Sequence, residues 1–253
     1  MVQPGTSGDA ILGVMVLDTR FPRIPGDVGN VKSYPFPVRL KTVRGATVQR
    51  VVVEGDPQLL TPFLEAAREL EAEGVRAITT SCGFLAPFQQ AIAEAVNIPV
   101  FLSALIQIPL AHMMTQRRIG ILTANSDALL ERHLRAAGVT EDIPIAIRGL
   151  QDRPAFAQSI LADGEHLDRE SIEREVLEAA ERLLNDHPDI GAFVFECHNL
   201  APYGPAVSTA TGRPVFDIIT LAEWVYRSIV KREFPGGVVN MPVAGPTKQE
   251  NGA

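Results

Sequence analysis

The sequence is poor in the residues and segments that mark several large protein classes. It has only two cysteines in 253 residues, too few for a disulfide framework, and they do not form a zinc pattern with histidine. It has no block of basic residues and carries a net charge of −7, which argues against a nucleic-acid surface. No apolar run approaches the length of a membrane span, and no GxxxxGK or GxGxxG segment supports nucleotide binding. We therefore expect a protein that binds neither nucleic acid nor membrane.

The beginning of the chain lacks the layout of a signal peptide. Residues 1–10 are polar and contain glycine, without a charged segment followed by an apolar one, so we expect a soluble, cytoplasmic protein. In that reducing compartment the cysteines stay free thiols, either as buried apolar side chains or as reactive groups.

An internal repeat surrounds the two cysteines. Residues 77–101 match residues 192–216 at a fixed offset of 115, with ten identities in 25 positions, and the match pairs Cys82 with Cys197. The repeat therefore predicts two similar halves with a thiol at the same place in each.

Short apolar runs alternate with amphipathic segments along the chain, which predicts parallel βαβ units in both halves. We expect strands at residues 11–17, 48–53, 75–80, 98–102, 118–123, 144–148, 192–196 and 214–216. We expect helices at residues 57–73, 84–96, 126–137, 168–186 and 219–232, and a short helix between Cys197 and Pro214. Asp56 before Pro57 is a typical helix start, and Ser126 is the expected N-cap of the third of these helices.

Residues 18–37 interrupt this alternation. They contain four prolines and two glycines, which excludes a helix or an interior strand. The segment begins at the carboxyl end of the first strand, where open α/β sheets bind ligands, so we expect a lid or a loop that contacts the substrate. An ordered surface loop without a role is the alternative.

Each cysteine follows a predicted strand and precedes a predicted helix, which places it at the carboxyl edge of a sheet. The free N–H groups and the positive dipole end of that helix would lower the thiol pKa from about 8.5 toward neutrality. Two such thiols facing each other across a cleft supply a base and an acid on opposite sides of a carbon next to a carbonyl group. This arrangement predicts proton transfer that needs no metal and no other cofactor.

Two buried, inert cysteines are the alternative, because cysteine is among the most buried residue types.

Glu196, directly before Cys197, either orients its neighbour or simply ends a strand.

The residues around both thiols resemble the aspartate/glutamate/hydantoin racemase superfamily. The sharpest motifs are Thr-Ser-Cys-Gly at residues 80–83 and Glu-Cys-His-Asn at residues 196–199. The resemblance implies two similar α/β halves, no cofactor, and Cys82 and Cys197 as the two acid/base residues. The resemblance, together with the motifs around the thiols, also indicates residues that bind the substrate. They are Asp18, Thr19, Gly83, Phe84, Asn125, Ser126, His198 and Asn199.

Three details bear on the branch of this superfamily. Gly83-Phe84 stands where glutamate racemases have Asn-Thr, which removes two polar carboxylate ligands. Residues 17–22, with Gly26 and Asp27, resemble the leading motif of the algal dimethylsulfoniopropionate lyases, which use a cysteine to take an alpha proton and then expel a beta substituent. The presence of Cys82 argues against the arylmalonate decarboxylases, which keep only the second cysteine.

The sequence thus predicts an α/β protein of two pseudo-symmetric Rossmann-like or flavodoxin-like halves with the active site in the cleft between them. We expect residues 1–103 plus 219–234 to form the N-terminal half, residues 104–218 the C-terminal half, and residues 235–253 a flexible tail. The first functional hypothesis is a cofactor-independent amino-acid or hydantoin-type racemase acting on a small carboxylate or hydantoin-like substrate. A lyase of the same superfamily and a non-catalytic ligand-binding protein are the alternatives. A homo-oligomer is compatible with all three functions.

Overall fold

Two sheets of four parallel strands form the two halves of the protein in the computed structural model, which describes residues 11–234 and residue 236. The first sheet has the order β2-β1-β3-β4 and the second has the order β6-β5-β7-β8. The strands are β1 (Leu12–Leu17), β2 (Val38–Val43), β3 (Ala77–Thr80), β4 (Val100–Phe101), β5 (Arg118–Thr123), β6 (Ile145–Gly149), β7 (Ile190–Phe195) and β8 (Val215–Phe216). The predicted two-half α/β architecture is confirmed.

The internal repeat of the sequence is also a repeat of strand register. Ile78 pairs with Val100 in the first sheet, and Phe193 pairs with Val215 in the second, which is the same pairing moved by the 115-residue offset. The central strands β1 and β7 are buried at every position, as expected of parallel strands covered on both faces.

Helices cover the faces of both sheets. They are α1 (Leu60–Ala72), α2 (Gln89–Ala95), α3 (Ile108–Thr115), α4 (Glu131–Ala136), α5 (Pro154–Phe156), α6 (Arg169–Asp186), α7 (Gly204–Thr211) and α8 (Ile218–Ile229). In residues 11–234, no helix is long and apolar enough to cross a membrane.

The strongest helix signals of the sequence are confirmed. The Asp56 side chain accepts a hydrogen bond from the backbone N–H of Gln58, at the turn that leads into α1. The apolar stripe of α6 is buried against the second sheet, and its buried members are Ile172, Val176, Ala179, Ala180 and Leu183.

The prediction of a strand at residues 48–53 is wrong, because Gln49–Val53 form a single π-helical turn. Val48, Val51 and Val52 are buried while Val53 is 55% exposed, so the apolar spacing is helical rather than alternating. The second strand is instead Val38–Val43, which lies at the edge of the sheet and is exposed or half-buried at every position before Val43.

The prediction of a helix beginning after Ser126 is also wrong, because α4 begins only at Glu131. The Asn125 side chain accepts the N–H of Asp127, which closes a turn that competes with a helix. The Nδ1 atom of His133 accepts the N–H of Leu130 at 3.0 Å, which places the N-cap at Leu130, four residues later than the predicted Ser126.

The Pro-rich loop, residues 18–37, is ordered by its own buried side chains. Its apolar residues Phe21, Val28, Tyr34 and Phe36 are buried. The Phe36 ring stacks on Tyr226 of α8, with ring centroids 4.1 Å apart. The loop therefore packs against the protein along its length.

Helix α8 returns to the first half of the chain. Besides the Phe36 contact, the Arg76 guanidinium, next to β3, donates to the backbone oxygen of Ile229 at 3.0 Å. The division into residues 1–103 plus 219–234 and residues 104–218 stays a prediction, and the predicted flexible tail lies outside the described residues except for residue 236.

Candidate active site

The two cysteines occupy equivalent positions at the carboxyl ends of the two sheets. Cys82 lies two residues after β3 and Cys197 lies two residues after β7. Each is followed by a six-residue 3₁₀ helix, Gly83–Phe88 or His198–Tyr203. Both thiols are free, and both line the same cavity.

This cavity, which we call the cysteine cavity, is small, largely enclosed and mostly apolar. Its free volume is about 20 Å³, which is room for about one water molecule. Its lining comprises Leu17, Phe21, Arg23, Val48, Val52, Ser81, Cys82, Phe84, Ala124, Ile160, Leu161, Cys197, His198 and Asn199. Arg23 is the charged member of this lining. Phe84 also lines an adjacent open cleft of about 320 Å³, so its ring forms part of the partition between the two spaces.

Five of the ten predicted site residues lie in the cysteine cavity. They are Cys82, Phe84, Cys197, His198 and Asn199.

The other five predicted residues do not line the cavity. The exposed Asp18 carboxylate accepts the N–H of Gly45, and Thr19 accepts a hydrogen bond from Arg23. The Asn125 side chain accepts the N–H of Asp127 within the turn before α4. Ser126 is hydrogen-bonded to Gln151 through both its N–H and its hydroxyl group. Substrate contacts for these residues stay predictions.

Gly83, the fifth, packs against Glu196 instead of facing the cavity. A Cβ at position 83 would collide with the backbone oxygen and the Oε1 atom of Glu196. Glycine is therefore required at position 83, because the backbone and the side chain of Glu196 leave no room for a Cβ atom.

Sequence reasoning missed Phe21 and Arg23 as individual cavity residues. Both come from the Pro-rich loop, and the Arg23 guanidinium lies 4.6 Å from the centre of the Phe21 ring. The signal available in the sequence was the unusual length of the loop and its start at the end of β1.

The same loop reaches Cys197 through a chain of hydrogen bonds. Arg23 donates to the buried Asp27 carboxylate at 2.9 Å, and the Asn199 amide nitrogen donates to the other Asp27 oxygen at 2.7 Å. The oxygen of the Asn199 side chain lies 3.8 Å from the Cys197 sulfur, within the distance of a thiol hydrogen bond. The loop and the second cysteine thus form one polar network.

The prediction that the following helix lowers the thiol pKa is wrong. Burial raises the pKa of both thiols, and the nearby Glu196 carboxyl group raises it further. Backbone N–H groups of Phe84 and Asn199 act in the opposite direction but do not outweigh burial. The helices after the cysteines are short 3₁₀ segments, so little aligned peptide dipole is available. Both cysteines are thiols in this closed cavity.

Glu196 is a fully buried carboxyl group beside both thiols. Burial raises its pKa to about 8, although hydrogen bonds to Thr123 and to the N–H of Ala124 act to lower it. Its Oε2 atom accepts from the Thr123 hydroxyl group at 2.7 Å, whereas its Oε1 atom has no hydrogen-bond partner among the described residues.

His198 is held by hydrogen bonds at both ring nitrogens. Its Nδ1 atom lies 2.9 Å from the backbone oxygen of Thr80, and its Nε2 atom accepts the N–H of Ala104. Since Nε2 accepts, the proton of the neutral ring is on Nδ1 and is donated to Thr80. Burial lowers the pKa of His198 to about 4, so the ring stays neutral at pH 7.

The chain is similar in sequence to one protein family and to a named relative. The family model described as Asp/Glu/Hydantoin racemase matches residues 53–225. A dimethylsulfoniopropionate lyase from Durusdinium sp. clade D is 34% identical over 230 residues, which cover 87% of this chain and 75% of that protein.

Solved structures show the same fold at low sequence identity. The allantoin racemase from Klebsiella pneumoniae superimposes with a TM-score of 0.59 at 17% identity, covering 86% of each chain. Unliganded arylmalonate decarboxylase gives a TM-score of 0.57 at 17% identity, covering 92% of this chain and 96% of that one.

Proposed function

The chain belongs to the Asp/Glu/hydantoin racemase family, and on that premise we propose that it is a cysteine-dependent lyase that eliminates a beta substituent from a small carboxylate. The candidate substrate is dimethylsulfoniopropionate, the compound named for the relative that is 34% identical. The observation that carries the proposal is one small, mostly apolar cavity that joins two thiols from different halves to Arg23.

The side chains that line the cavity suit both ends of such a substrate, although the cavity must widen from its present free volume of about 20 Å³ to admit it. The Arg23 guanidinium is a partner for the carboxylate. The Ser81 oxygen accepts the N–H of Leu17, which leaves its hydroxyl proton free to donate to a second carboxylate oxygen. Phe21 and Phe84 supply aromatic faces, which attract a sulfonium group and its methyl groups.

The chemistry starts with a thiolate that removes the proton from the carbon next to the carboxylate. The electron pair of the broken C–H bond forms a carbon–carbon double bond, and the beta carbon–sulfur bond breaks with its electrons going to sulfur. Dimethyl sulfide leaves as a neutral molecule, acrylate remains, and the cysteine holds the proton until it is returned to solvent. The leaving group needs no protonation, so one base is sufficient.

The substrate itself supplies the charge that this base needs. Both thiols have raised pKa values in the cavity, and a sulfonium cation placed beside them favours the ionised form. Proton abstraction is therefore coupled to binding of a positively charged substrate.

Racemisation is the second candidate, because the two thiols approach the cavity from different halves of the chain. A base on one face and an acid on the other is what inversion at an alpha carbon requires. An amino-acid ammonium group would supply the same positive charge as the sulfonium group.

Incubation with dimethylsulfoniopropionate in D₂O separates these functions. We expect release of dimethyl sulfide and acrylate, measured by gas chromatography and NMR, and a loss of about 10²–10⁴-fold in whichever of Cys82→Ser and Cys197→Ser removes the base. Deuterium uptake at the alpha carbon of amino acids or hydantoins, without release of dimethyl sulfide, would instead favour the racemase. If both single variants performed either reaction like the wild type, a cysteine-dependent enzyme would be excluded.

A further inference from the structure

We propose that Asp27 is a positioning residue that orients the Asn199 amide so that Cys197 is held as a hydrogen-bond-donating thiol, which leaves the first proton abstraction to Cys82. This assignment rests on the proposed function, because it divides the acid and base roles between the two thiols of that site.

The orientation of the Asn199 amide follows from its partner. A carboxylate accepts hydrogen bonds but has none to donate, so the side-chain nitrogen of Asn199 must face the Asp27 oxygen 2.7 Å away. The amide oxygen then faces the Cys197 sulfur at 3.8 Å. That oxygen accepts a thiol proton, whereas a thiolate at the same place would meet its lone pairs.

Asp27 cannot easily turn away from Asn199. It is 3% exposed, and its Oδ1 atom accepts from the N–H of Gly29 at 2.7 Å and from Arg23 at 2.9 Å. The Ser33 hydroxyl group donates to the backbone oxygen of Asp27 at 2.6 Å. The Pro-rich loop therefore fixes the backbone and the Oδ1 atom of Asp27, which leaves its Oδ2 atom facing Asn199.

The charges around Cys197 act in the same direction as the amide oxygen. Glu196 precedes it in the chain, Cys82 lies across the cavity, and Asp27 lies behind Asn199, and each raises the pKa of Cys197 beyond the effect of burial. Arg23 is paired with Asp27, and the buried His198 ring is neutral at pH 7. The N–H of Asn199 is the opposing group on the same segment.

Cys82 has a different electrostatic environment. Burial and Glu196 raise its pKa as well, but Arg23 and the N–H of Phe84 act to lower it. The described residues include no side-chain hydrogen-bond acceptor for its sulfur. When a positive substrate enters, Cys82 is therefore the thiol that ionises first.

The two thiols then have distinct roles. Cys82 takes the alpha proton, and the Cys197 thiol, whose proton is donated to the Asn199 oxygen, stays neutral beside the substrate while negative charge grows on the substrate carboxylate. The Cys197 proton is not consumed in the elimination. In a racemisation the same proton would pass to the opposite face of the alpha carbon.

The test is alkylation of each cysteine with iodoacetamide over a pH range, resolved by peptide mass spectrometry. The pH dependence is compared rather than the rate, because access to the two thiols differs. We expect Cys82 to ionise at lower pH than Cys197 in the wild type. In Asp27→Asn and in Asn199→Ala we expect the alkylation curve of Cys197 to move to lower pH by about one unit, which is about tenfold more thiolate at a fixed pH below the pKa, since the fixed acceptor is lost.

Asp142→Asn is the matched control, because this exposed aspartate lies at the amino end of β6, away from the cavity. It should leave both alkylation curves unchanged. Asn199→Ala keeps the Arg23–Asp27 pair, so this variant tests the role of the Asn199 oxygen if Asp27→Asn fails to fold.

Ionisation of Cys197 before Cys82 in the wild type would overturn the assignment, as would an unchanged Cys197 curve in Asn199→Ala. Assays for dimethyl sulfide are run on the same proteins. Absence of dimethyl sulfide with the expected order of ionisation would count against the proposed lyase while leaving the thiol assignment standing.

Discussion

Glu196 is a buried acid whose environment favours the protonated form. Its Oε2 atom has Thr123 as a partner, but its Oε1 atom has none within the described part of the chain and lies behind Gly83, in a position that no side chain at residue 83 would allow. The sequence left two roles for Glu196, orienting its neighbour or ending a strand. The structure places its charge where ionisation would oppose the formation of either thiolate.

Glu196 should make folding less favourable as the pH rises. Its pKa is raised to about 8 in the folded protein from the ordinary 4.5, so the folded state holds a proton that the unfolded state has lost. The stability conferred by that proton is present below pH 4.5 and is lost as the pH passes through 8. We expect the free energy of unfolding in urea to fall by about 1–2 kcal/mol between pH 6.5 and 8 in the wild type.

The Glu196→Gln variant is the control for this pH effect, because it has a similar shape and no proton to lose. Its free energy of unfolding should stay nearly level over the same range. Equal slopes in the two proteins would show that Glu196 is already ionised at pH 6.5.

At the scale of elements, the Pro-rich loop is joined to the opposite half at Asp163 as well as at Asn199. The Asp163 carboxylate accepts the N–H groups of Arg20 at 2.6 Å and of Phe21 at 3.2 Å. Asp163 has a φ of 52°, in the left-handed region that few residues other than glycine adopt. Ile160 and Leu161, just before it, line the cysteine cavity together with Phe21. This contact therefore holds one wall of the cavity closed.

Asp163→Ala should loosen that wall. The variant removes the acceptor of two backbone N–H groups and leaves a non-glycine residue at positive φ, so we expect a loss of about 1–2 kcal/mol in the free energy of unfolding. Hydrogen exchange at the N–H groups of Arg20 and Phe21 should become faster.

Asp163→Asn serves as the comparison, since asparagine keeps the side-chain oxygen and tolerates positive φ. It should retain most of the exchange protection. Full protection of both N–H groups in Asp163→Ala would mean that the buried loop side chains alone hold the loop in place.

At the scale of the whole molecule, His198 connects the second cysteine segment to the end of the first sheet. Its ring donates to the Thr80 backbone oxygen of β3 and accepts the N–H of Ala104. Protonation of His198 would remove the acceptor for Ala104 and leave a charge in a site that is 1% exposed. The contact between the halves is therefore sensitive to acid.

Acidification should destabilise the protein through this residue. The pKa of His198 is lowered to about 4 from 6.5, so between these values the unfolded state binds the proton and the folded state does not. The stabilisation is complete above pH 6.5 and is lost as the pH falls toward 4. We expect the wild type to lose about 2 kcal/mol more than His198→Gln between pH 6.5 and 4.5, measured by urea unfolding. Equal losses would show that His198 is not held neutral.

Much of the fold was determined by local sequence. The apolar runs of β1 and β7, the stripe of α6 and the Asp56 cap predict their elements because burial pattern and capping chemistry depend on near neighbours. Residues 48–53 were mistaken for a strand because a short apolar run fits a strand or a buried turn, and packing decides between them.

The sequence by itself determined that two equivalent cysteines lie at the ends of two equivalent strands, because a repeat with a fixed offset folds into a repeated unit. Only the tertiary structure decided which side chains surround them. Arg23 and Asp27 are more than 50 residues from Cys82 and at least 170 from Cys197, and they meet the thiols through the path of the loop. Burial, which raises the thiol pKa against the expectation from position alone, is a property of the closed cavity and not of any local segment.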